Sequence, residues 1–169
     1  MHGPHEQYGQ VNGVLDRVEQ QLNAGKAGEA IEIIRHCGMS CPEIENAYGV
    51  CLLRQGAVDQ AVELFRRLVL FPNAVTFRSD VPSLYKCNFA TALLLAGNVD
   101  GCRSTLNDID NDLDPLVIEL WGAIQQWKRT LNWWERLLFA LGASPRDRPV
   151  RLEFPPGHVR ALRERRSAA

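Results

Sequence analysis

Three glycine turns constrain this chain more than any other feature of its sequence. GKAGEA at 25–30, GAVDQA at 56–61 and GNVDGC at 97–102 each open on a glycine and close on a small residue, Ala30, Ala61 or Cys102. Four positions further on stand Ile34, Phe65 and Leu106, and seven further on Cys37, Leu68 and Ile109, so each block runs into an apolar face at helical spacing. A second helical run precedes each turn, most clearly Tyr48 and Gly49 followed by Leu52 and Leu53, and Phe89 and Ala90 followed by Leu93, Leu94 and Leu95. The unit is helix, turn, helix, repeated three times. One such pair cannot bury its own apolar side, so the copies must stack, which leads to an all-α fold of about seven or eight helices.

Boundary residues agree with this division. Ser40, Pro42 and Glu43 read as a capping box with proline in the first turn, Asp80 and Pro82 open the fifth helix, and Asp114 before Pro115 reads as an N-cap followed by proline at N1. Repeats therefore occupy about 11–41, 42–74 and 83–115, behind a flexible start at 1–10. The turn glycines lie 31 residues apart and then 41 apart, which puts an insertion at 71–83; it reads first as a longer surface connection, and as the alternative a loop whose Phe77, Arg78 and Asp80 meet a ligand.

These residues resemble the tetratricopeptide repeat, a family with a period of about 34 residues and the pattern W-x2-L-G-x2-Y, A-x3-F, P. Tyr48 and Gly49 stand for its Leu-Gly pair, Leu52 for the tyrosine, Ala61 and Phe65 for Ala-x3-Phe, and Pro72 for the closing proline. Ala30, Ile34 and Pro42 match in the first repeat, and Phe89, Ala90, Leu93, Cys102, Leu106 and Pro115 in the third, so the resemblance spans residues 11–115. It implies a right-handed superhelix of antiparallel helix pairs and a binding groove lined by the first helix of each pair. Mapping the repeats onto one another places Glu19, Asn46, Val50, Leu53, Arg54, Cys87, Thr91, Leu94 and Leu95 there. That set is mainly apolar, so an apolar or amphipathic peptide is the expected occupant.

The C-terminal quarter departs from the pattern. All four tryptophans fall between 121 and 134; Trp121 and Gly122 begin a fourth repeat, but Arg129 replaces its turn glycine and Trp134 its small residue. Helices at 116 to about 129 and 132 to about 141 read as a cap on the stack. Leu131, Trp134, Leu138 and Leu141 form a stripe of the kind that packs into a core, whereas Trp127, Trp133 and Trp134 are the alternative, a partner surface. Residues 143–169 read as an extended, basic tail. Within it Val150, Leu152 and Phe154 alternate before two prolines and a glycine, and lie either in the groove as a built-in ligand or along the outside of the last helices. Beyond them the stretch from His158, with Arg160, Arg163, Arg165 and Arg166, reads as solvated chain, with contact to the acidic body or to an anionic partner as the alternative.

Charge and chemistry narrow the function. The net charge of -1 conceals 9 basic against 16 acidic residues up to position 122, and 10 against 4 thereafter. A basic, tryptophan-flanked end is the signature for the alternative function, binding of nucleic acid or another anionic partner, yet the acidic body repels phosphate. Five cysteines without a Cys-x-x-Cys pair, and no leader-like start, point to free thiols in a cytoplasmic protein; no apolar run reaches the ~20 residues of a membrane span. His36, Cys37 and Cys41 fall short of a four-ligand zinc site, and the acidic run 108–114 lacks the glycine and distal glutamate of an EF-hand loop. With no phosphate loop and no legible nucleophile–base pair, the reading is a non-catalytic interaction protein, an adaptor or small chaperone, without cofactor or metal, monomeric or homodimeric.

Overall fold

A computed structural model describes residues 4–72, 74–109, 114–142, 145 and 148–160. Among these lie eight α-helices: α1 (Pro4–Asn23), α2 (Ala27–Cys37), α3 (Pro42–Gln55), α4 (Val58–Val69), α5 (Ser83–Leu95), α6 (Val99–Asn107), α7 (Pro115–Thr130) and α8 (Trp133–Ala140). The three repeated glycines fall between α1 and α2, α3 and α4, and α5 and α6, with φ of 75°, 80° and 78°. A side chain is strained in that left-handed region, so glycine is what lets each helix stop and reverse within a few residues.

Each of the first five helices packs against the next, and the odd-numbered ones also meet in order: α1 with α3, α3 with α5, and α5 with α7. The small residue closing each repeated block is buried, as are Phe65 and Leu106 four positions on. Gly49 shows why the pattern wants a small residue on the facing helix: a Cβ there would stand 2.5 Å from Cζ of Phe65. Burying that phenylalanine contributes about 1.5–3 kcal/mol, provided nothing holds the two backbones apart.

Several boundaries differ from the sequence reading. α1 begins at Pro4, so most of the stretch assigned to a flexible start is helical. Cys41 caps α3 without a side-chain bond, and the Ser40–Glu43 box does not form. Pro42 at N1 has already removed one of the unpaired N–H groups. Pro82 is the N-cap of α5, because the Asp80 carboxylate is taken by Arg78 at 2.9 Å. Asp114 caps α7 as expected, its Oδ1 accepting from the Leu116 amide at 2.9 Å. At α8 a reciprocal capping box forms between Asn132 and Glu135, unforeseen in sequence.

At the insertion the described residues show one pairing. Leu70 and Phe77 bridge antiparallel, and the Phe77 ring stands edge-on to Phe89 at 6.4 Å under the Lys86 ammonium. After α8 the chain turns at Gly142, and residues 148–160 run without helix back across the odd-numbered helices, from α7 and α8 to α1.

Candidate functional site

Four polar side chains are buried among the described residues: Asn46, Asn88, Thr91 and Thr105. Buried polar groups must be hydrogen-bonded, and where each finds its partner separates packing from recognition. Both threonines bond back within their own helices, Thr91 to the Cys87 carbonyl and Thr105 to that of Gly101, each at 2.9 Å. Both asparagines reach outward to the segment 148–160.

Asn88, on α5, grips one residue of the segment at two points. Its Nδ2 donates to the His158 carbonyl at 2.8 Å, and its Oδ1 accepts from the His158 amide at 2.9 Å. This is the exchange a neighbouring β-strand makes, supplied here by a side-chain amide. The same Nδ2 donates to Oδ1 of Asn46 at 2.7 Å, which orients Asn46 to donate to the Val159 carbonyl at 3.3 Å. About two helical turns further along α3, Arg54 donates to the Pro156 carbonyl at 2.6 Å and the Gly157 carbonyl at 3.1 Å. Four consecutive carbonyls, 156 to 159, are thus taken by three side chains, and two of those bonds are charge-assisted.

The contacts continue at both ends of the segment. Arg160 reaches α1, with bonds to the Asp16 carboxylate and to the Asn12 carbonyl. Upstream, Trp127 donates from Nε1 to the Arg148 carbonyl at 2.9 Å, Arg148 pairs with Glu135 at 3.1 Å, and Gln126 donates to Glu153 at 2.7 Å. Val150, Gly157 and Val159 are buried, while Leu152 and Phe154 are half-buried and Pro155 is exposed. Gly157 has φ +75° and presses on α3; a Cβ there would lie 3.2 Å from Leu53 Cδ1 and from Val50 Cγ2.

Of the groove residues read from sequence, Asn46, Val50, Leu53 and Arg54 are brought together around the segment. Cys87, Thr91 and Leu94 are buried, and Glu19 and Leu95 are half-buried. Asn88 was missed because repeat alignment gave its position to Cys87, one residue earlier. The signal was present: an asparagine in the otherwise apolar run of α5 must find a buried partner. Arg160, read as part of a solvated tail, is instead held to α1; Arg163, Arg165 and Arg166 lie outside the described residues.

The tryptophans divide. Trp127 is buried and stacks edge-on with Phe139 at 5.4 Å, so it is not a partner surface. Trp133 and Trp134 are exposed, at 75% and 52%, their rings 5.2 Å apart. The stripe on α8 is not core either: of its members only Leu131 is buried, whereas Trp134, Leu138 and Leu141 face outward and Phe139 makes the inward contact. At the insertion, Phe77 lines a cleft of about 1130 Å³ with Phe89, Leu93, Arg67 and Ser104, while Arg78 and Asp80 pair with each other.

Among the described residues chemically reactive groups do not converge. Burial pushes the thiols of Cys51, Cys87 and Cys102 up to about 12, so they stay protonated near neutral pH and are poor nucleophiles. Cys37 donates to the Ile34 carbonyl at 3.0 Å, and His36 Nδ1 sits 2.7 Å from the Glu32 carbonyl. Among the described residues no group of His, Cys, Asp and Glu side chains is placed to hold a metal ion, and no helix is long and apolar enough to cross a membrane. Asp110 and Asp112 of the acidic run lie outside the described residues; Asp108 pairs with Lys86 at 3.0 Å. No protein-family model, no curated protein and no solved structure matches this chain.

Proposed function

We propose that this chain is a non-catalytic protein-interaction module, an adaptor or chaperone-like protein of the tetratricopeptide type, whose helix pairs form a right-handed superhelix with a concave peptide groove. One observation carries the reading: side chains of the odd-numbered helices hold the main chain of an extended segment, residue after residue. A surface that bonds carbonyls and amides of extended chain is built for peptide, and its walls, Val50 and Leu53, are apolar as an amphipathic segment requires. Nucleic-acid binding by the basic end is the weaker reading, because Arg148 and Arg160 already face acidic residues of the same chain.

The test is selection of a displayed random-peptide library on the full chain cut at a protease site placed after Gly142, so that its own segment can leave, counter-selected on an Asn46→Ala, Asn88→Ala double variant cut in the same way. Enrichment of sequences that bind the parent and not the variant is the expected outcome. Failure to enrich any sequence that depends on those asparagines overturns the reading.

A further inference from the structure

The groove is filled by this chain's own residues, and the way it is filled defines what else fits. We propose that residues 150–160 are a tethered competitor, and that the groove's ligand in trans is an extended internal peptide with glycine two positions before an apolar residue, as in Gly157-His158-Val159. The inference rests on the peptide-module reading and adds to it the ligand's sequence requirement and its control.

The requirement follows from which parts of the segment are read. At positions 156, 158 and 159 the bonds from Arg54, Asn88 and Asn46 go to main-chain atoms, which every residue except proline offers. Position 157 is different on two counts: its φ of +75° disfavours a side chain, and a Cβ would crowd Val50 and Leu53 at 3.2 Å. An L-residue there must change backbone conformation, which moves the adjacent carbonyl off Arg54, or push two buried side chains of α3 aside. Val159, two positions on, is buried and supplies the apolar anchor. The chain continues beyond Arg160, so the site takes an internal stretch and does not need a terminal carboxylate.

Control follows from the tether. A segment joined to α8 by a short connection is present at the groove at an effective concentration of the order of millimolar, so a free peptide with the same contacts competes poorly until the tether is cut or the segment is pulled away. The contacts of the segment are polar bonds to single side chains at 2.6–3.3 Å, with Val150 and Val159 buried and Leu152 and Phe154 half-buried against the core.

The experiment uses the full chain with a protease recognition sequence placed after Gly142, folded first and then cut. The probe is a fluorescein-labelled peptide of residues 148–160, followed by anisotropy. The cut protein is expected to take up the peptide, the uncut protein to bind it at least tenfold more weakly, and the Gly157→Ala peptide to bind the cut protein at least tenfold more weakly than the parent. Should cutting reduce the folded signal, restoration by the parent peptide and not by its Gly157→Ala form gives the same support. A cut protein that keeps its own fragment and its melting temperature while taking up no peptide overturns the proposal, as does equal binding of the two peptides. Library sequences that depend on Asn46 and Asn88 but lack the glycine would overturn the sequence requirement alone and leave the module reading standing.

Discussion

The helices up to Asn107 and the segment 148–160 are held by opposite means. Each helix of the first group meets its neighbour in sequence, through apolar side chains repeated at helical spacing around a glycine reversal. The segment meets α1, α3 and α5 across 70 to 148 residues of chain, through amides, a guanidinium and its own main chain. Contacts of the first kind are encoded where they occur. Those of the second kind are encoded in two places at once, and neither place announces the other.

The largest expected difference comes from striking the first group at its tightest point. Phe65→Ala empties a fully buried site against Gly49 and should cost about 3–5 kcal/mol, read as a shift of the urea midpoint. Helices and segment should then unfold together, since the segment has nothing to lie on. A midpoint shift below ~1 kcal/mol would mean that the Gly49–Phe65 contact does not organise the stack.

Striking the second group should separate the two. Asn88→Ala leaves the His158 amide and carbonyl without the bonds they make in the groove and deprives Asn46 of its orienting partner, at a cost of about 1–3 kcal/mol. The loss should be local: amide exchange accelerates at His158 and Val159 while α3 and α5 keep their protection. A double-mutant cycle with Asn46→Ala should show coupling above ~0.5 kcal/mol, because the two amides share one hydrogen bond. Additive losses would break the picture of a joined pair.

This contrast explains what could be read in advance. Gly25, Gly56 and Gly97, with Ala61, Phe65 and Leu106, specify turns and faces through nearest neighbours, so a single sequence carries them plainly. Asn46 and Arg54 were reachable because the repeat pattern assigns one helix of each pair to the groove. Asn88 and Gly157 were not, since their roles exist only once a segment some 70 residues away has been laid between helices. The capping box at Asn132 was legible from its spacing but was hidden by Trp133 and Trp134, which read as a helix already under way.

A smaller effect tests the junction between the two groups. Glu135 caps α8 through the Asn132 amide and also accepts from Arg148 at the start of the segment; the first of these does most to lower its pKa below the usual carboxylate value, and the arginine adds to it. A carboxylate whose folded pKa is depressed contributes stability that is present above its unfolded value of about 4.3 and is lost as pH falls through the folded one. Melting temperature should therefore drop as pH is lowered below about 4.3, and that drop should shrink in Glu135→Gln, which cannot titrate. An unchanged pH profile in the variant would remove Glu135 from the junction.

The smallest expected effect separates two tryptophans six residues apart. Trp127 fills the space beside Phe139 and bonds the Arg148 carbonyl, whereas Trp133 is exposed at 75% and touches chiefly Trp134. Trp133→Ser should change stability by no more than ~0.5 kcal/mol, as expected of a surface position outside caps and core. Trp127→Phe keeps most of the ring but not the indole N–H, and should loosen residue 148 and leave α7 intact, visible as faster exchange in the segment. Both side chains are large and aromatic, and residue type alone put them on one candidate surface. What divides them is the return of the segment beneath α8, which gives one indole a carbonyl to hold and leaves the other facing water. If Trp133→Ser proved as costly as a core substitution, α8 would be packed against something more than Phe139 supplies, and the division between the locally encoded helices and the returning segment would have to be redrawn at α7.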